Sequence, residues 1–126
     1  PAICGGNSTV VLASEKLPLC AITFSEVVHS SDVPAGVINI LTGSTEEMAA
    51  TLASHMDVNA IITSNLETKL SNKLSLLSVD NLKRKFDYTE NCAGQEAQGL
   101  HYISDLQEIK TTWHPIENVG GASSSY

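Results

Sequence analysis

Along the first two-thirds of the chain, short unbroken apolar runs alternate with helically spaced apolar stripes, which predicts alternating strands and helices. Thr9, Val10, Val11, Leu12 and Ala13 form a β-branched apolar run. Such a run predicts a parallel strand buried on both faces. Pro18 follows where a helix can begin, because a first turn does not need its missing N–H. Leu19, Ile22, Val27 and Val28 then fall mostly on one helical stripe, and Ser30, Ser31, Asp32, Pro34, Ala35 and Gly36 make a loop. The second strand, Val37, Ile38, Asn39, Ile40 and Leu41, stops at Thr42 and Gly43. Ser44 or Thr45 is placed to cap the next helix, with Glu46 and Glu47 near the positive end of its dipole. Met48, Leu52 and Met56 recur every four residues, with Ala49 and Ala53 beside them, as a core-facing stripe.

Ala60, Ile61, Ile62 and Thr63 make a third strand. Leu66, Leu70, Leu74 and Leu77 then predict a helix to about residue 78, buried against the sheet. Residues 82–88 supply a fourth strand, which Lys83, Arg84 and Lys85 mark as an edge. The order β-α-β-α-β-α-β predicts an α/β class: a Rossmann-like, open, mostly parallel sheet with helices on both faces, in three layers. Beyond residue 91 the pattern fades. Residues 92–99 read as a loop and 100–109 as a strand or a short helix. Thr111, Thr112, Trp113, His114, Pro115 and Ile116 read as an extended tail. Its one large side chain, Trp113, is expected to dock on a sheet edge or a neighbouring domain. Residues 120–126 are small and polar, an ending that frays.

The chain has 126 residues, enough for one domain. Seven basic residues against 14 acidic ones leave a net charge of -7, which disfavours nucleic acid and anionic membrane surfaces as partners. No apolar run is long enough to span a bilayer, and residues 1–7 lack a signal-like stretch. An opening without Met suggests a fragment or a processed product. Cys4, Cys20 and Cys92 are odd in number, widely spaced and without a CxxC pair, which points to reduced thiols and a cytoplasmic location. The triplet Asn7-Ser8-Thr9 matches a glycosylation sequon but carries little weight. His29, His55, His101 and His114 lie too far apart for metal-ligand spacing, so no metal is expected, and His55 suits the end of its helix.

Ligands of a doubly wound sheet bind beyond the carboxyl ends of its strands, which here means 14–18, 42–48 and 63–69. Neither GxGxxG nor GxxxxGK[ST] occurs. Gly43 stands alone after its strand, and Glu46 and Glu47 would repel a phosphate at the helix start. A turn glycine before an acid-capped helix is the plainer reading.

Several segments resemble the coenzyme domain of the aldehyde dehydrogenase family. Pro1-Ala2-Ile3-Cys4-Gly5-Gly6-Asn7, Val10-Val11, Ser14-Glu15 and Pro18-Leu19 are similar to the family's PALAxGNxVVxKPxExTPL. Pro34-Ala35-Gly36-Val37-Ile38-Asn39 continues it, with Gly43 at the family's glycine. Leu52-Ala53-Ser54-His55 with Asp57-Val58 resembles LAxHxDV, and Asn81-Leu82-Lys83-Arg84 resembles the NLKR stretch that leads into ELGG. The resemblance covers about 1–91 and implies a coenzyme-binding subdomain there, with 92–126 a loop and tail packing on it or on a neighbour.

Position by position, the same resemblance implies lost chemistry. The family's ribose-contacting Lys falls on Leu12, while its Glu survives as Glu15. FTGS falls on Ile62-Thr63-Ser64-Asn65, keeping the Thr, and Lys69 replaces a glycine beyond Glu67. The general-base Glu of ELGG falls on Tyr88, and its two glycines on Glu90 and Asn91. No GQxC motif supplies a nucleophile; Cys92 before Gly94-Gln95 has the reverse order. No catalytic residue is therefore assigned. Glu15, Gly43, Thr63 and Ser64 are the vestigial coenzyme positions, and NAD(P) is expected to bind weakly or not at all. The expected role is a pseudoenzyme, a structural or assembly module of an aldehyde dehydrogenase protein, with that protein's remaining domains or a second copy as partner. Lys110-Thr111-Thr112-Trp113-His114-Pro115-Ile116 is similar to the ending of family-16 members, which carry a truncated second dehydrogenase-like domain. Two rival readings are a coenzyme-binding half of an active enzyme completed elsewhere, and a redox-signalling α/β domain using Cys92.

Overall fold

The computed structural model describes residues 1–89 and 93–114. Glu90, Asn91, Cys92 and residues 115–126, with the 91/92 boundary and the frayed ending, lie outside the described residues.

The alternating pattern folds as strands β1 (Thr9–Leu12), β2 (Ile38–Leu41), β3 (Ala60–Ser64) and β4 (Arg84–Tyr88). Helices α1 (Leu19–Ser30), α2 (Thr45–Ser54) and α3 (Thr68–Leu77) connect them. A short α4 (His101–Ser104) follows, which resolves the choice at 100–109 in favour of a helix. The class is α/β and Rossmann-like, with parallel strands throughout. β1 pairs with β2 in the register Thr9 to Ile38, and β3 with β4 in the register Ala60 to Arg84. α1 packs on β2, whereas α2 crosses back over β1 and lies along α3.

The core sits in that α2–α3 seam, where Ala53 is 0% and Leu74 1% exposed. Leu66, Leu70 and Leu77 are half-buried. The leucine stripe therefore faces mainly a neighbouring helix, and α3 is tied to β4 by hydrogen bonds from Ser71 to Asp87. Two expectations need correction. β1 is not buried on both faces: Val10 and Val11 remain 47% and 43% exposed, because the short ladder with β2 and the crossing of α2 leave much of each side uncovered. The stripe on α1 is also open. That helix has no buried residue, and Leu19 and Val27 are exposed.

The segments that resemble family motifs brace one another. The Asn81 amide donates to the carbonyls of Met56 and Val58 at 3.0 and 3.3 Å, and the Lys83 ammonium donates to the carbonyl of His55, the residue capping the end of α2. Burial lowers the Lys83 pKa, opposed by the Asp57 charge. Asn7 donates to the carbonyls of Ala2 and Leu106, which joins the opening turn to the segment after α4 and engages the sequon amide.

Trp113 does not dock on a sheet edge among the described residues: its residue is 92% exposed, and 111–114 form no regular structure. A large anchor stabilises only what it buries. Trp113→Ala is expected to change stability by no more than about 0.5 kcal/mol, as for other exposed positions. Urea unfolding checks this, and a loss of several kcal/mol would place the ring against a packed surface.

Candidate functional site

The chain leaves β1 in one direction through α1 to β2, then returns over β1 to β3. β1–β2 and β3–β4 are separate two-stranded ladders, and the carboxyl ends of β1 and β3 flank the point between them where the winding reverses, which is where open α/β sheets bind ligands. A cleft of about 590 Å³ opens there, lined by Leu12, Ser14, Glu15, Lys16, Thr45 and Ser64 among others.

The four expected coenzyme positions do not converge on it. Glu15 and Ser64 line the cleft. Thr63, the preceding residue of an alternating strand, belongs instead to a neighbouring pocket with Ser71 and Asp87. Gly43 lines neither. Its φ is +152°, and a Cβ there would come within 2.8 Å of Met48 Sδ. Backbone conformation and the approach of α2 thus account for this glycine.

Glu15 has a partner inside the chain. Its Oε2 accepts the Thr45 N–H at 2.9 Å, at the first residue of α2. Ser44 stands at the N-cap but its side chain makes no cap hydrogen bond. The cap comes from the β1–α1 loop, so the expected local cap is corrected: a carboxylate brought by tertiary folding outcompetes the neighbouring hydroxyl for the positive helix end.

The most connected polar groups lie beside Thr63, and sequence reasoning missed them as a unit. The Thr63 hydroxyl donates to Asp87 Oδ1, and Ser71 Oγ lies 3.2 Å from Oδ2. Lys85 Nζ donates to Ser71 Oγ at 2.8 Å and pairs with Asp87. Thr63 and Asp87 face each other in the β3–β4 register. Alternation along β4 was the available signal, since it places 85 and 87 on one face and 86 and 88 on the other. The hydrogen bond from Lys85, then that from Thr63, holds the Asp87 carboxyl below its ordinary value of 3.8. A depressed carboxylate contributes stability above its unfolded pKa and loses it as pH falls through the folded value. Asp87 is half-exposed, so the expected contribution is under about 1 kcal/mol. Comparing the chain with Asp87→Asn by urea unfolding from pH 6 to pH 2 checks this: the difference should shrink toward the acid end.

On the other face of β4, the Tyr88 ring packs edge-on against buried Tyr102 at 4.8 Å, and its hydroxyl donates to Asp105 Oδ2 at 2.9 Å. Phe86 stacks parallel to Tyr88 at 6.1 Å. Tyr88 thereby holds α4 on the sheet.

Among the described residues no three His, Cys, Asp or Glu side chains gather as a metal site, and no helix is long and apolar enough to cross a membrane. Cys4 and Cys20 are exposed free thiols.

Residues 1–68 match the family profile described as "Aldehyde dehydrogenase family". A hydroxyisobutyraldehyde dehydrogenase of Mycolicibacterium austroafricanum is 44% identical over 69 residues, 54% of this chain and 14% of that protein. A mitochondrial benzaldehyde dehydrogenase of Antirrhinum majus is 40% identical over 85 residues, 66% of this chain and 16% of its own length. The chain thus spans about a seventh of these relatives. Among solved structures, a cysteine-to-alanine variant of aldehyde dehydrogenase C from Pseudomonas syringae, complexed with NAD+ and octanal, superposes with a TM-score of 0.56 at 29% identity. The match covers 64% of this chain and 16% of that one.

Proposed function

Because the chain belongs to the aldehyde dehydrogenase family, we propose that it is a non-catalytic module of that family, a degenerate coenzyme-domain segment with a structural or assembly role in the cytoplasm. The observation that carries this reading is the engagement of Tyr88. At the position where the resemblance puts the general base, the chain has a phenol holding α4 through Tyr102 and Asp105. A base must be free to take a proton from water or thiol. Acyl-enzyme chemistry also needs a nucleophile and an oxyanion donor, and the sequence has no GQxC motif.

The cleft does not suit a dinucleotide either. The Thr45 N–H at the start of α2 already faces the Glu15 carboxylate, Glu46 and Glu47 follow in the first turn, and Glu67 stands at the N-cap of α3. Acids at both helix starts oppose a pyrophosphate. Leu12 offers no hydrogen bond to a ribose. NAD and NADP are expected to bind no more tightly than about 1 mM, a free energy of about -4 kcal/mol.

The alternative, a coenzyme-binding half of an active NAD(P)-dependent enzyme completed outside this chain, is favoured by one feature: Glu15 and Ser64 still line the cleft where the winding reverses. Calorimetry with both coenzymes, alongside an assay for NAD-dependent aldehyde oxidation, separates the two readings. No turnover and no saturation below millimolar coenzyme are expected. A dissociation constant near 10 μM, or turnover abolished by a cysteine substitution, favours the alternative.

A further inference from the structure

Three features stand outside the proposed function: the open apolar face of α1, the exposed thiols of Cys4 and Cys20, and the polar pocket beyond β3 and β4. Nothing identifies what covers α1, and an isolated exposed thiol specifies no chemistry. The pocket carries more. It has a volume of about 290 Å³ at the carboxyl ends of β3 and β4 and the start of α3, and Thr63, Thr68, Ser71, Asn72, Asp87 and Thr89 contribute to its lining. That volume sits at the lower end of small-molecule sites, which run from about 300 to 1,000 Å³, so the occupant is small.

We propose that this pocket binds a neutral, polyhydroxylated ligand of monosaccharide size, with Asp87 accepting a hydrogen bond from one hydroxyl of the ligand and Thr68, Asn72 and Thr89 meeting the others. The charge balance selects the class. Among the described residues Asp87 is the one ionised group in the lining, and the Lys85 ammonium behind it neutralises that charge. An anion meets the carboxylate first, whereas a cation finds it already paired. A neutral ligand pays neither penalty.

The hydrogen-bonding groups select for hydroxyls. Thr63, Ser71 and Lys85 hold Asp87 in place, so its carboxylate is fixed before a ligand arrives. Around it, the side chains of Thr68, Asn72 and Thr89 make no hydrogen bond among the described residues, and all three are exposed. Hydroxyls and amides both donate and accept, as sugar hydroxyls do.

The test is a titration of the ¹⁵N-labelled chain with D-xylose, followed by amide shifts, with inorganic phosphate and methylammonium in parallel. Saturable shifts confined to residues 63–72 and 87–89, with millimolar affinity, are expected for xylose alone. Asp87→Asn should weaken binding at least about tenfold, as for loss of a charged hydrogen bond. Because that change also loosens the network, Thr89→Val provides an independent arm. Thr89 is outside the network, and its loss should weaken binding about fivefold with shifts elsewhere unchanged. The proposal fails if xylose gives no saturable shifts, if Thr89→Val binds as the parent does, or if phosphate or methylammonium moves the same amides at lower concentration. It does not depend on the non-catalytic reading, since coenzyme affinity and turnover are measured separately.

Discussion

Leu74→Ala is expected to lower stability by about 2–5 kcal/mol, the range for a buried leucine whose cavity does not fully collapse. Leu74 is 1% exposed and lies on α3 where that helix packs along α2, whose Ala53 is fully buried. Among the described residues only Ala13, Ala53, Leu74, Tyr102 and Leu106 are buried apolar side chains, so few neighbours can refill the space. Native domains keep about 5–15 kcal/mol in total, so this one change can remove a third or more of the margin. The urea midpoint should fall while the slope of the transition stays constant. Leu76→Ala is the control, because Leu76 is exposed two residues further on the same helix. Equal losses for the two would mean that the α2–α3 seam is not the core.

Tyr88→Ala is expected to cost about 2–4 kcal/mol, from the edge-to-face pair with Tyr102 and the hydrogen bond to Asp105. Tyr88→Phe keeps the ring and should cost about 1 kcal/mol, because only the hydrogen bond is lost. Tyr88→Glu places a carboxylate beside Asp105, and is expected to destabilise the chain without creating aldehyde oxidation. Hydrogen exchange should localise the effect to α4 and the turn around Gly5, since the Arg84 guanidinium and Gln107 also tie that segment down. If Tyr88→Glu instead gave turnover at unchanged stability, the position would be a dormant catalytic one.

The element order was legible in the sequence because it rests on local rules. β-branched runs and leucine spacing located β1 to β4 and α1 to α3 to within a few residues. Pro18 marked the start of α1, and Gly43 marked the end of β2. The family was legible too, since its motifs are short and local, and the profile match over residues 1–68 agrees with them.

Exposure and partnership were decided by the tertiary structure. Periodicity states which side of an element is apolar, but not whether anything covers that side. Val10 and Val11 therefore read as buried and are exposed. Glu15 read as a vestigial coenzyme position, yet thirty residues on, the first turn of α2 offers it a partial positive charge. Tyr88 read only as a missing base, until Tyr102 and Asp105 came to rest against it. Sequence alone determined which residues are helical, extended or apolar, because those preferences act within a few residues. Which carboxylate meets which N–H, and which ring anchors which helix, depends on contacts 14 to 30 residues apart that exist only once the chain has folded.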